Sequence, residues 1–279
     1  PCMYMTHLYP FILSAMLAVA VGFPGVAAEA SPPPFTARLA TGVTFQSDDP
    51  GLQRLYDTAV ERLQKNFVPF TPTMNILVEG GGYPNAWIET QPMGGEMYAK
   101  RDPQVALNNQ VLFLLTQRED GRLPGMVVSG PSARKQGWDR NPPKGFIWMP
   151  ELDVAADFEM LQGFCFAEPA WRMYHWMGRD KAYLQKLYSA LEAYDRYLWA
   201  TRDSNGDGLL ETWCVWDTGE DGSTRYGKRN APESWPYEKP PGTEGLPTPH
   251  APAAESMVPF ASMDVMSYSF SARATLAKI

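Results

Sequence analysis

Histidine and cysteine are scarce in this chain, with three of each in 279 residues. His7, His175 and His250 are isolated from one another, so the sequence offers no histidine pair for zinc and no serine–histidine arrangement for nucleophilic catalysis. Three cysteines cannot make a disulfide framework, and Cys2 precedes the apolar run near the N-terminus rather than following it as a lipid anchor would. Basic residues are also short: 24 Lys and Arg face 31 Asp and Glu, for a formal charge of −7. Without a basic stripe there is nothing to neutralise phosphates, which excludes nucleic acid as a partner. The run Gly80-Gly81-Gly82 lacks the Lys-Ser/Thr of a phosphate loop and the strand-to-helix setting of a dinucleotide site. No strand-rich stretch of convincing length is visible.

The only long uncharged apolar run is 11–23, too short to span a bilayer, which takes roughly 20 residues. Small residues follow at Val26-Ala27-Ala28 and Ala28-Glu29-Ala30, so residues 1–30 read as a secretory signal peptide despite lacking Lys and Arg before the run. A secreted or periplasmic protein, with no membrane contact after cleavage, is the expectation. Residues 31–49 read as an extended, proline-led lead-in, and 50–279 as one domain. Cys165 and Cys214 would remain after cleavage; the setting Phe164-Cys165-Phe166 favours a buried free thiol over a disulfide.

Aromatic residues are plentiful: nine Trp, thirteen Tyr and thirteen Phe. Helical spacing places Leu52, Leu55, Tyr56, Ala59, Val60 and Leu63 on one face of a helix beginning at Pro50, capped by Asp48 or Asp49. Pro103 opens a second helix running to about Gln117. Residues 129–150 read as a long loop. Asp157 to Gly178 reads as a nearly all-apolar helix interrupted at Glu168-Pro169, joined by a tight turn at Gly178 to a helix over 180–202. A proline-rich segment over 232–259 precedes a last helix, Met263 to Ile279. Paired helices with long loops predict an all-α, α/α architecture.

The segment 201–211 places acidic or amide oxygens at Asp203, Asn205 and Asp207, as a calcium loop does, but Cys214 stands where the bidentate glutamate belongs. A plain Asn-Gly/Asp-Gly turn is the better reading, and no metal or cofactor is assigned. What remains is carboxylate chemistry. Trp213 to Tyr226 gathers Asp217, Glu220, Asp221, two tryptophans, a tyrosine and Arg225 within fourteen residues. Tryptophan faces stack on sugar rings while a carboxyl group handles the proton, although a solvated acidic loop beside core tryptophans has the same composition.

Four blocks, in order, resemble the six-hairpin glycosidases, especially glycoside hydrolase family 63 and its mannosylglycerate-hydrolase-like members, with trehalases more distant. They are Trp87-Ile88-Glu89-Thr90-Gln91 onward to Glu96; Asn108-Asn109-Gln110 with Gln117 to Gly125; Gly178-Arg179-Asp180 with Tyr194 to Leu210; and Trp216-Asp217-Thr218-Gly219-Glu220-Asp221-Gly222-Ser223. The last is the most specific, and departs from the family pattern at Gly222, where Asn is usual.

The resemblance implies an incomplete (α/α)6 toroid of about three hairpins, truncated at its C-terminus, and an inverting glycosidase acting on an oligosaccharide or other glycoside. It makes Asp221 the general acid and puts the general base in a missing C-terminal half, so the fragment alone would be inactive. Asp217 and Glu220 are expected to raise the pKa of Asp221 by like-charge repulsion, with Arg225 paired to one of them. Trp87, Glu89, Gln91, Gln117, Trp216, Asp217 and Arg225 are the substrate-binding candidates. A rhamnosidase, a uronide lyase, a non-catalytic carbohydrate-binding protein and a helical scaffold with core tryptophans stand as alternatives.

Overall fold

Helix α1 (Pro50–Gln64) starts where Asp49 accepts hydrogen bonds from the backbone N–H of Gly51 (2.7 Å) and Leu52 (3.3 Å), with proline in its first turn. This is a computed structural model, and it describes residues 33–37, 43–143, 145–158, 160–212, 217–219, 237–238, 251–252 and 260–279. Every described residue belongs to one compact unit within 31–279. Strands β1 (Phe67–Pro69) and β2 (Asn75–Leu77) form an antiparallel pair. Then come β3 (Ala86–Trp87), α2 (Gln91–Tyr98) and α3 (Pro103–Leu115). Next are β4 (Met126–Ser129), α4 (Gly130–Lys135), β5 (Phe146–Met149) and β6 (Val154–Asp157), followed by α5 (Ala167–Trp176) and α6 (Lys181–Thr201). The chain closes with β7 (Glu211–Thr212), β8 (Tyr237–Glu238), β9 (Ala251–Pro252), β10 (Phe260–Ala261) and α7 (Met263–Leu276).

Helix α3 is the centre of the core. Asp102 caps it through the Val105 N–H at 2.9 Å, and residues 105–114 are all buried. It is apolar on most sides because α2, α5, α6 and the β1–β2 pair surround it. Helices α5 and α6 form the expected hairpin: Gly178 (φ 72°) and Arg179 (φ 62°) take left-handed conformations, and Asp180 caps α6 through the N–H groups of Ala182 and Tyr183. Helix α7 packs on both.

The all-α expectation is corrected by an antiparallel sheet of order β3-β4-β6-β5, with Met126 opposite Asp157 and Asp157 opposite Phe146. Its strands escaped the sequence reading because they are two to four residues long. Strand β6 is also buried at every position, so it carries no alternation. Residues 129–150, read as a loop, contain α4 and β5. The helix read over 157–178 begins only at Ala167, since Asp157 ends a strand and 158 and 160–166 are not helical; Pro169 sits harmlessly in the first turn of α5. The apolar stripe of α1 is likewise not a buried face: Leu52 and Leu55 are exposed, and no residue of α1 is buried. No helix among the described residues is long and apolar enough to cross a membrane.

Candidate active site

Strand β3 delivers Trp87 to a tight turn, closed by the Thr90 N–H donating to the Trp87 carbonyl at 3.3 Å, and this turn carries Glu89. Gln91 then opens α2. Its buried Oε1 accepts from the Trp87 N–H and from the Thr90 hydroxyl (2.9 Å), so the amide caps its own turn. Asn109 on α3 clasps the same region from below: its Nδ2 donates to the carbonyls of Leu77 (2.8 Å) and Gln91 (3.1 Å), and Oδ1 accepts from the Leu77 N–H. Gln110 adds a bond to the Pro92 carbonyl at 2.7 Å. Asn109 and Gln110 therefore lock the start of α2 onto the core helix, while Asn108 Nδ2 donates to the Asn75 carbonyl of β2.

From the other side comes the segment 217–219. The Asp217 carboxylate is buried: Oδ1 accepts from the Leu161 N–H at 2.9 Å, and Oδ2 from Arg202 Nη1 at 2.6 Å. Its backbone carbonyl accepts from the Gly163 N–H at 3.1 Å. A second buried guanidinium, Arg122, lies within electrostatic reach of Asp217 and donates to the Tyr197 hydroxyl at 3.0 Å. Burial pulls the Arg122 pKa down, but Tyr197, Tyr194 and Asp217 outweigh it and the group stays cationic.

Glu89 closes the arrangement. A Cβ placed on Gly219 (φ 73°) would lie 1.7 Å from Glu89 Oε2, and one placed on Gly163 (φ 50°) would lie 3.1 Å from both Glu89 Cβ and the Thr218 carbonyl. Only glycine at both positions lets the Glu89 carboxylate rest against this loop. Trp87 turns to the sheet, packing with Trp138, Phe146 and Trp148 over Met126, Val128, Ala133 and Ala155.

The sequence candidates thus fall into three groups. Glu89 and the segment 217–219 meet, with Trp87 two residues away. Gln91, Gln117 and Asp217 turn their polar atoms to structure: Gln117 Nε2 donates to the carbonyls of Gly121 (2.7 Å) and Ala190 (2.8 Å), tying the hairpin end to α6. The Asp217 carboxylate, expected to contact sugar and to act on Asp221, is bound to Arg202 and the Leu161 N–H. Trp216, Asp221, Arg225, Trp213, Glu220 and Cys214 lie outside the described residues. Cys165 is a free thiol.

Sequence reasoning missed Gln162. It is buried, adopts a left-handed conformation (φ 53°) and leaves Oε1 without a hydrogen-bond partner among the described residues. The available signal was a Gln-Gly pair set between Leu161 and Phe164 in an otherwise apolar run. The left-handed backbone and the unsatisfied polar atom set Gln162, beside Gly163, apart from its apolar neighbours.

A family model described as the mannosylglycerate hydrolase MGH1-like glycoside hydrolase domain matches residues 96–279. The chain belongs to this family. Two solved structures of the GH63 mannosylglycerate hydrolase from Thermus thermophilus, one in complex with Tris and one with Tris and D-glycerate, share 22% identity with it. Their TM-scores are 0.48 and 0.47, and each match covers 80% of this chain and 50% of that one. A third, in complex with glucose, has 23% identity, a TM-score of 0.46, and 62% and 42% coverage. The chain therefore spans half or less of the length of these structures. No curated protein sequence matches it.

In this MGH1-like chain the acidic turn after α6 serves its own backbone. Asp203 accepts from the Gly208 N–H (3.2 Å), Asn205 Oδ1 from the Asp207 N–H (3.1 Å) and Asp207 Oδ1 from the Leu209 N–H (2.9 Å). Such Asx bonds are those of a turn, and no cluster of three metal-ligating side chains occurs among the described residues.

Proposed function

We propose that the protein is a glycoside hydrolase that cleaves an O-glycosidic bond with inversion, Asp221 being the general acid. The observation that carries this reading is the anchoring of 217–219. Asp217 is tied to Arg202, Leu161 and Gly163, and Gly219 is pressed against Glu89, two residues before Asp221. An acid that must protonate a leaving oxygen needs a well-held mount, and the contacts of 217–219 support that role for this segment. Glu89 accepts substrate hydroxyls, Trp87 and Trp216 stack on sugar rings, and Arg225 reaches a hydroxyl or an acidic neighbour. The second carboxylate, which activates water on the opposite face of the sugar, lies outside residues 1–279.

The helices belong to part of an (α/α)6 toroid. The protein is secreted or periplasmic, with residues 1–30 as its signal peptide. Because the family is described by a mannosylglycerate hydrolase, mannosyl and glucosyl glycosides of small hydroxy acids are the first substrates to assay. In the full-length protein, Asp221→Asn should cost roughly 10²–10⁴-fold in kcat while sugar binding persists. Near-wild-type turnover in that variant would remove Asp221 from the mechanism.

A further inference from the structure

Between α2, the start of α5 and α7 lies a cavity of about 170 Å³, walled by Met93, Phe164, Cys165, Glu168, Tyr268 and Ser271 among others. Its lining combines an aromatic face and a thioether with two hydroxyls, a thiol and a carboxylate. That mixture matches a pyranose, which presents apolar C–H faces and an equatorial belt of hydroxyls. The space is small, with room for a ligand of about one sugar ring.

Position adds to composition. Gly163 bears the Glu89 side chain, and the next two residues, Phe164 and Cys165, form one cavity wall. The charge of Glu89 is also felt inside. Burial raises the Cys165 pKa and Glu89 raises it further, and for Tyr268 burial, Cys165, Asp264 and Glu89 all push upward. Tyr268 and Cys165 line the cavity together. The helix that supplies Tyr268 and Ser271 carries no residue of the four motif blocks.

We propose that this cavity is a monosaccharide subsite continuous with the Glu89 face of the acid loop, in which Tyr268 and Ser271 bind hydroxyls and Phe164 backs the ring. The assignment rests on the glycosidase reading above, since a sugar is the occupant only if the neighbouring loop handles sugars. It makes α7 a determinant of specificity.

Cys165 reports on occupancy directly. The full-length Asp221→Asn protein is alkylated with iodoacetamide, an uncharged reagent that the Glu89 carboxylate does not repel, and Cys165 is followed by peptide mass spectrometry. A panel of methyl hexopyranosides and the free hexoses serves as the probe. At saturation at least one member should slow Cys165 alkylation fivefold or more. Ser271→Trp, which fills the cavity, should abolish that protection, as should the milder rim substitution Met93→Trp.

Unchanged labelling with every sugar overturns the proposal, whether or not the panel binds elsewhere. Protection that survives both tryptophan substitutions overturns it too. Hydrolysis by Asp221→Asn would instead sink the assigned acid, and the Cys165 readout would still be obtained from the first minutes of reaction.

Discussion

Two carboxylates meet the same three-residue segment and are treated in opposite ways. Asp217 lies within the protein, its oxygens bound by Arg202 and the Leu161 N–H. Glu89 approaches from the β3–α2 turn, half-buried, and rests where only glycine leaves room. By residue type, both were equal candidates for sugar contact. Their surroundings separate them: the Asp217 carboxylate is held in a buried ion pair, which stabilises only while both partners remain, whereas the Glu89 side chain lies against Gly219 and Gly163. The difference teaches that two acids in one neighbourhood can be held in different ways, one by a buried counter-ion and one by the room that glycines leave.

The sharpest way to break this comparison is Asp217→Ala. Leaving Arg202 buried without its carboxylate should cost about 3–5 kcal/mol, read as a collapse of the thermal midpoint or loss of soluble protein. A variant with wild-type stability would mean that Asp217 is not the anchor. Gly219→Ala comes next. The new Cβ overlaps Glu89 Oε2, and the backbone is held at φ 73°, so a destabilisation of roughly 1–3 kcal/mol and a large fall in turnover should appear together. Full activity there would show that Glu89 and the loop move apart freely.

Glu89→Gln preserves the shape and removes the charge. Its thermal midpoint should stay near wild type while kcat/KM falls roughly 10–100-fold; equal losses of stability and activity would return Glu89 to the structural class. The smallest effect concerns Asp120, at the hairpin end. Burial pushes its pKa up, but the hydrogen bond and charge of Arg118 outweigh this and hold it below the usual value. A depressed folded pKa means that its contribution is full above the unfolded value, about 4, and is lost as pH falls through the folded one. Asp120→Asn should therefore narrow the stability gap between pH 6 and pH 3 by about 1 kcal/mol or less, measured by denaturant unfolding. An unchanged gap would show that the pair contributes nothing.

Helices were the legible part of the fold. Pro50, Pro103 and Asp180 announce helix starts through local chemistry, and Gly178 announces a stop, because capping is settled within four residues. Strands β4, β5 and β6 were invisible for the opposite reason: each needs a partner distant in sequence before its residues mean anything, and Val154 to Asp157 bury every side chain. The same divide runs through the site. The order of the motif blocks pointed to Glu89 and the 217–221 loop, but no spacing rule marked Arg202 as the counter-ion of Asp217, fifteen residues away, or Gly163 as the floor beneath Glu89.

By itself, the sequence determined what kinds of chemistry were open. A chain poor in histidine and basic residues, rich in tryptophan, and carrying a clustered acid motif directs attention to carboxylate chemistry. Tertiary structure alone decided which carboxylate is spent on stability, which glycines admit a neighbour, and that Cys165 and Tyr268 wall one small cavity. Burial and contact are properties of pairs of residues far apart in the chain, and a linear pattern records only what each residue does with its nearest neighbours.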